Sequence, residues 1–414
     1  MLTTYYIISL LVFLTAIFAY INGRWIKWPP TIGIMIISLM FSILIAILGN
    51  LVPHISSRVA IFISSINFEQ VLMKIMLSFL LFAGSLHVDA NQLRGEKWPV
   101  FVLATVGTFI STFLVSVMAY YLFQLFNIQI PYICCLLFGG LISPTDPISV
   151  MGILKQAGIP KSLELKIAGE SLFNDGVGVV VFLTVLEVAI NGTDNFSVTK
   201  TAILFLREAG GGVLFGCALG YLAYFSIKSI DNYRVEVLIT LTVAMSGYSL
   251  ADELHLSGPL AIIMAGIIIG TKGKKTGISA ISRDYLDKFW DLTDEIFNAI
   301  LFLLIGLEML VIKINPTIML IGGIMIVMVL FARYLSVSFP LMFLRLWIKF
   351  EKNAVMILTW GGLRGGISVA LALSLPQAFH RDEFVLITYM IVVFSIVVQG
   401  LTIGRLAKAV SKCT

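Results

Sequence analysis

Three short polar segments interrupt the apolar stretches of this sequence: SPTDP at 143–147, ESLFNDG at 170–176 and GGLRGG at 361–366. Their carboxylates, hydroxyls and amide offer oxygen ligands, the type that hard cations prefer. None of them forms the HExxH motif of zinc proteases or the GxSxG motif of serine hydrolases. The segments therefore indicate a site that handles cations or protons.

The spacing within 170–176 brings its polar side chains together in pairs. Ser171 and Asp175 are four residues apart and would share one helix face, and Glu170 and Asn174 would share the neighbouring face. A carboxylate and a hydroxyl on one face can replace part of the hydration shell of a bare cation. A carboxylate shielded from bulk water can hold one proton or one cation, but not both, and this competition would couple the two ions.

The elements that must position these segments are membrane-spanning helices. Of the 414 residues, 59% are hydrophobic and 12% are charged, and the mean hydropathy is +1.00, whereas a soluble domain carries about 25% charged residues. The sequence predicts an all-α polytopic membrane protein of about 13 transmembrane helices, in one transporter domain, 1–414, with no soluble regulatory tail. The predicted spans lie near 4–21, 30–49, 70–88, 99–123, 132–154, 163–190, 201–227, 234–252, 256–271, 292–312, 315–344, 353–376 and 383–404.

Basic residues set the predicted orientation, because positively charged loops tend to stay inside. With the N-terminus outside, most of the 28 basic residues fall in inside segments, among them Lys155, Lys161 and Lys166 around the end of the fifth span and the start of the sixth. We therefore expect a multi-pass protein of the cell (inner) membrane, with its N-terminus outside and its C-terminus in the cytoplasm.

Five charged residues are predicted to lie deep in the membrane. Arg333 and Arg364 are each about 12 residues from the nearest loop, roughly 18 Å along a helix. Asp146, Glu170 and Asp175 lie at comparable depth, whereas most other acids fall in loops or near span ends. A charge at that depth costs at least about 2.5–3.5 kcal/mol unless it is paired or hydrated, so this set is typical of an ion or proton pathway.

Two of the predicted spans should be broken near their middle. Prolines flank Thr145 and Asp146 in the fifth span, and four glycines surround Arg364 in the twelfth. Proline removes a backbone donor and glycine favours unwinding, and broken backbone at membrane depth is tolerated inside protein or beside a water-filled cavity. The seven-span separation reverses orientation, which predicts inverted repeats with two crossed discontinuous helices.

Together, the three segments in spans five, six and twelve resemble the sodium/proton exchanger branch of the cation/proton antiporter superfamily, the NhaP-type antiporters. The resemblance implies exchange of sodium for protons, with lithium left open, and it makes Asp175 the ion-carrying aspartate and Asn174 its partner. Asp146 and Thr145 match residues that help to hold the ion at the first break, and Ser171 matches a further ligand. Asp175, Ser171 and Asp146 are thus the implied ligands of the transported Na⁺.

The same resemblance implies roles for the remaining buried charges. Glu170 matches a glutamate that pairs with an arginine of the eleventh span, here Arg333, and Arg364 matches the arginine of the second broken helix. Asn174 in place of a second aspartate implies electroneutral exchange. Some members also use an acid in the third span, where LSFLLFAGSL at 77–86 has none.

The resemblance also implies how the protein is organised and what it binds. It predicts a homodimer, with dimerisation helices beside an ion-transport core. The expected partners are Na⁺, H⁺ and membrane lipid, and no cofactor or nucleic acid is expected.

Two other transport activities stay open at the level of sequence. One is potassium/proton antiport, and the other is a sodium-coupled symporter of the same crossed-helix fold, which would need a larger polar cavity. An enzyme is not predicted, because the four histidines fall near span ends without a deep catalytic partner. A channel is disfavoured as well, because nothing in the sequence resembles a selectivity filter.

Overall fold

The computed structural model describes residues 2–51, 71–146, 148–192, 197–277, 279–348, 350–351 and 353–411. Across these ranges the chain forms helices and connecting loops, without a β-strand. The prediction of an all-α protein is therefore confirmed. Residues 70 and 147, which belong to the predicted third and fifth spans, lie outside the described residues.

The α-helical segments follow one another with short connections. In chain order they are α1 (Leu2–Ile21), α2 (Pro30–Leu51), α3 (Leu77–Leu86), α4 (Ala90–Leu93), α5 (Lys97–Val102), α6 (Thr108–Leu125), α7 (Tyr132–Ile142), α8 (Ile148–Gln156), α9 (Lys161–Asn191), α10 (Val198–Lys228), α11 (Tyr233–Thr242), α12 (Tyr248–Glu253), α13 (Gly258–Ile268), α14 (Ala280–Glu308), α15 (Pro316–Leu344), α16 (Ala354–Gly361), α17 (Gly366–Ser374), α18 (Arg381–Phe394) and α19 (Gly400–Ser411). Single π-helical turns join α5 to α6, α11 to α12 and α18 to α19, so each of these pairs runs as one long helix.

The helices match the predicted spans in place more closely than in number. Every predicted span falls on a helix or on a pair of short helices. In the part of the chain that the structure describes, eight helices are long and apolar enough to cross a membrane, and α16 with α17 forms a ninth, bent by 49°. The total of about 13 spans therefore stays a prediction. Helix α14 begins at Ala280, whereas the predicted span begins near 292. The acidic stretch before 292 is therefore part of the same helix.

Helix α9 lies at the centre of the fold and packs against α7, α10 and α13. Its neighbour α10 approaches α13 closely because glycines repeat every four residues along one side of α10. A Cβ atom at Gly212 would lie 2.7 Å from the carbonyl oxygen of Ser257, and one at Gly220 would lie 2.9 Å from Cα of Ala265. Small residues of this spacing let membrane helices pack backbone to backbone.

The two predicted breaks are present and meet each other. Between α7 and α8, and between α16 and α17, the chain leaves the helical conformation. The Asp146 N–H donates to the Leu363 carbonyl at 2.7 Å, so the breaks share a backbone hydrogen bond. A Cβ atom at Gly365 would lie 2.5 Å from Cβ of Asp146, so glycine is needed for this approach. Crossing of the broken helices and inverted repeats stay predictions.

Candidate functional site

The first break is held against α9 by three hydrogen bonds to one residue, Thr145. Its N–H donates to Oδ1 of Asn174 at 3.2 Å, and its hydroxyl accepts from Nδ2 of Asn174 at 2.7 Å. Its carbonyl accepts from the Ser171 hydroxyl. The side chains of α9 thus satisfy backbone groups that the break removes from helical pairing.

A glycine of α9 lets the break come this close. A Cβ atom at Gly178 would lie 2.5 Å from Cγ of Pro144. The proline ring therefore packs directly on the helix backbone, and the break is held by packing as well as by hydrogen bonds.

Asp175 lies one turn beyond Ser171 and is buried, with 7% of its surface exposed. Its Oδ1 atom has no hydrogen-bond partner among the described residues. Asp175, Asp146 and Ser171 line one cavity of about 550 Å³. A buried carboxylate oxygen without a donor is costly unless a proton, water or cation satisfies it. Asp175, Asp146 and Ser171 are therefore gathered at one cavity, whereas Thr145 and Asn174 bond to each other outside its lining.

Arg364 lies at the second break but acts on the first. Its Nη1 atom donates to the carbonyls of Ser143 and Pro144, the second at 3.0 Å. Its own backbone N–H donates to the Ser395 hydroxyl at 2.9 Å. These carbonyls follow the C-terminal end of α7, where a positive charge stabilises the helix dipole. The geometry thus suits charge compensation between the two broken helices.

Glu170 forms a two-point ion pair with Arg333 of α15. Arg333 Nη1 lies 2.6 Å from Oε1 of Glu170, and Nη2 lies 3.0 Å from Oε2. Nη2 also donates to the Leu358 carbonyl of α16 at 3.2 Å. A Cβ atom at Gly362 would lie 2.5 Å from Arg333 Nε, so the glycine makes room for the guanidinium. This pair links α9, α15 and the second break.

Helix α14 contributes polar residues that the sequence interpretation missed. Asp291, Asp294 and Asn298 all line the same cavity as Asp175. The stretch before 292 was interpreted as lying outside the span, so its acids were placed near a span end. Their spacing of three and four residues puts them on one helix face, and this was the available signal.

Lys166 is buried, although the sequence groups it with the inside lysines Lys155 and Lys161. It lies near the start of α9, within the predicted span 163–190, and only 1% of its surface is exposed. Its ammonium group is 3.4 Å from Glu96 and 3.0 Å from Glu351. Two carboxylates therefore lie within ion-pair distance of this buried ammonium group and compensate its burial.

The carboxylate of Glu351 sits in the loop before α16, outside the spans. Burial alone would raise its pKa, but the hydrogen bond from Ser162 and the nearby Lys166 ammonium group outweigh burial and lower the pKa. Glu351 therefore stays ionised and helps to neutralise Lys166.

Sodium, if it binds here, would be cargo rather than a resident metal. No group of three or more His, Cys, Asp or Glu side chains is arranged around a single metal position in the described ranges. The carboxylates of the cavity therefore do not form one preformed chelate.

Comparison with known proteins also indicates the sodium/proton exchanger family. The family model described as "Sodium/hydrogen exchanger, transmembrane" matches residues 12–409. The chain is 46% identical over 413 residues to the Na⁺/H⁺ antiporter NhaP of Pseudomonas aeruginosa, covering 98% of this chain and 96% of that one. It is 34% identical over 398 residues to the Na⁺/H⁺ antiporter NhaH of Halobacillus dabanensis, covering 93% of each chain.

A solved structure supports the fold. The sodium proton antiporter MjNhaP1 of Methanocaldococcus jannaschii, determined at pH 8, superposes with a TM-score of 0.77. The superposition covers 98% of each chain at 20% sequence identity. The helical architecture is therefore shared although most side chains differ.

Proposed function

This chain belongs to the sodium/hydrogen exchanger family of multi-pass membrane proteins, and we propose that it exchanges sodium ions for protons through one site on Asp175. The observation that carries the proposal is the buried Asp175 carboxylate, whose Oδ1 atom has no hydrogen-bond partner among the described residues and which lines a cavity together with Asp146 and Ser171. Such a group can be satisfied by a proton or by a desolvated cation, but not by both at once.

The neighbouring oxygens would complete the cation site. The Ser171 hydroxyl is one turn away on the same helix face, and Asp146 lines the same cavity. We assign these two groups, with Asp175, as the ligands of transported Na⁺. Thr145 belongs to the site through its position between them.

Asn174 has a different part in this proposal. Both ends of its amide are occupied by Thr145, so it holds the first break in place rather than offering a free oxygen. It positions Thr145 relative to Asp175, and its lack of charge leaves one exchangeable carboxylate at this level of the helix.

Electroneutral exchange follows if Asp175 is the one carboxylate whose charge is exchanged. Glu170 is neutralised by Arg333 and takes no part in the cycle. If Asp175 carries either one Na⁺ or one H⁺, each half of the cycle moves the same charge. The expected stoichiometry is one sodium per proton.

The accessible side of the cavity can be assigned within this proposal. Lys155, which the positive-inside rule places in the cytoplasm, lines the cavity that contains Asp175. We therefore propose an inward-open state of a single transporter domain, in the cell membrane, with the N-terminus outside. A homodimer with separate dimerisation helices and transport core is part of the same proposal.

Purified protein in liposomes tests the activity. Internal pH is followed after addition of Na⁺, Li⁺ or K⁺, with and without an imposed voltage. We expect an alkaline shift with Na⁺ that voltage leaves unchanged. A response to K⁺ alone would identify a potassium/proton antiporter, and no proton movement with any of the ions would favour a sodium-coupled symporter.

A further inference from the structure

The cavity that reaches Asp175 contains a second carboxylate that the proposed exchange does not use. Asp294 of α14 lines this cavity, and its Oδ1 atom has no hydrogen-bond partner among the described residues. Asp175 in the same cavity is more than nine-tenths buried and also has an oxygen without a partner. Each of the two carboxylates that line this cavity therefore has a buried oxygen without a hydrogen-bond partner among the described residues.

Burial increases along α14 in the direction of the site. The Asp291 side chain is 65% exposed and lies 3.1 Å from the imidazole of His87, which also lines the cavity. Asp294 is half-buried, and Asn298, one turn further on, is buried with 4% exposed. From Asp291 to Asn298 the helix rises by roughly 10 Å. This helix face therefore runs from the surface into the protein.

The inner end of this face touches the broken helices. Leu301, the next residue on the face, packs on the start of α17, where a Cβ atom at Gly366 would lie 2.5 Å from Leu301 Cδ1. The preceding glycine, Gly365, contacts Asp146. The polar face of α14 thus leads to the place where Asp146 and Asp175 line the cavity.

We propose that Asp294, with Asn298 beside it, is a cation-docking position on the inner access path, where Na⁺ exchanges part of its hydration shell before it reaches Asp175. This inference rests on the proposed function. Carboxylate and amide oxygens are suitable ligands for a partly hydrated hard cation. A cleft lined by negative charge also raises the local cation concentration.

The site is a docking position rather than part of the final coordination shell. No group of three acidic side chains among the described residues surrounds one metal position. Within the proposal, a cation that docks at Asp294 then moves on to Asp175. Asp291 is less suited to docking, because His87 already contacts it and water surrounds it.

The test compares Asp294→Asn with Asp284→Asn in proteoliposomes. Asp284 lies on the same helix in an exposed ion pair with Lys288 and outside the cavity, so it is a matched control. We expect Asp294→Asn to raise the apparent KM for Na⁺ on the inner side by about tenfold, because one attracting charge is lost. We expect kcat to stay within about twofold. Asp294→Glu should restore KM, and Asp284→Asn should match the unsubstituted protein.

Two outcomes would overturn the docking role. One is an unchanged KM in Asp294→Asn, and the other is a loss of kcat with KM unchanged, which would make Asp294 part of the transport step itself. Should Asp294→Asn fail to fold, Asn298→Ala provides the same readout with the charge retained. A several-fold rise in KM would then support the docking role, and an unchanged KM would oppose it.

Equilibrium binding of ²²Na⁺ in detergent separates this inference from the proposed function. Asp175→Asn should abolish sodium binding at the transport site, whereas Asp294→Asn should leave it in place, because the docking position lies outside the final coordination shell. Loss of binding in Asp294→Asn as complete as in Asp175→Asn would place Asp294 in that shell and contradict the docking role alone. Absence of sodium-driven proton movement in the unsubstituted protein would contradict the proposed function instead.

Discussion

Helix α9 contains two buried carboxylates five positions apart, and they differ in their hydrogen-bond partners. Glu170 has both oxygens paired with the guanidinium of Arg333, which in turn donates to a backbone carbonyl. Asp175 faces a cavity and keeps an oxygen without a partner among the described residues. Both are more than nine-tenths buried, so depth alone does not distinguish them.

The difference lies in what neutralises each charge. A carboxylate in a rigid two-point pair keeps its charge balanced at all times, so neither a proton nor a cation can compete for it. A carboxylate that faces water-accessible space gains most when a mobile cation or a proton arrives. One helix therefore combines a structural carboxylate with an exchangeable one, and substitution of each should have opposite consequences.

The largest expected effect is the loss of transport in Asp175→Asn. Asparagine keeps the shape of the side chain but cannot carry a proton or balance a cation, so sodium-driven proton movement should fall to the level of empty liposomes. Thermal melting in detergent should be unchanged or higher, because a buried ionisable group without a charged partner has been replaced by a neutral one. Exchange at the normal rate in this variant would contradict the assignment of Asp175.

The second-largest expected effect is a loss of stability, in contrast to Asp175→Asn, which should lose transport and keep its stability. Glu170→Gln leaves the Arg333 charge buried and unpaired, and Arg333→Gln leaves the Glu170 charge in the same condition. Each should lower the free energy of unfolding by about 3–5 kcal/mol. The double variant should lose less than either single variant, because no unpaired charge remains. Denaturant unfolding in micelles would measure this, and strictly additive losses would rule out the pair as one unit.

A smaller effect is expected at the ion cluster of Lys166 with Glu96 and Glu351. The folded protein lowers the Glu351 pKa below its ordinary value of 4.5, so the stability it contributes is present above that value. This contribution is lost as the pH falls through the lower folded pKa. Glu351→Gln should therefore show a weaker drop in melting temperature between about pH 5 and about pH 3. Parallel melting curves for both proteins over that range would argue against the cluster.

The smallest effect should appear at the exposed pair of Asp284 and Lys288. The pair is short, at 2.6 Å, but both side chains are more than half exposed. Water screens such pairs, so Asp284→Asn and Lys288→Gln should leave both melting and exchange unchanged. A clear loss of melting temperature would show that ion pairs in this protein stabilise it irrespective of burial.

Much of the site could be predicted from local sequence. The prolines of 143–147 and the glycines of 361–366 predicted breaks, because these residues change the backbone where they stand. Ser171 was paired with Asp175, and Glu170 with Asn174, because helix periodicity alone determines which neighbours share a face. The pairing of Glu170 with Arg333 came from family resemblance and not from spacing.

Lys166 and Asp294 could not be placed in this way. The sequence groups Lys166 with neighbouring inside lysines and does not predict its burial. That burial is explained by ion pairs with Glu96 and Glu351, which belong to distant segments of the chain. Asp294 looked like an end-of-span acid because its hydropathy window is polar. Its helix forms one wall of the cavity, and a hydropathy profile does not show which helices line a cavity.

The sequence by itself determined where most of the helices lie and where two of them break, and it predicts which carboxylates lie deep in the membrane. Apolar periodicity, proline and glycine act over a few residues, so these features are local. The tertiary structure alone decided that the Arg364 side chain bonds to the carbonyls of the other break, and that Asp175 keeps an oxygen free while Glu170 is fully paired. Partners more than a hundred residues apart meet only when the helices pack, and that packing decides which buried charge is neutralised and which remains available for exchange.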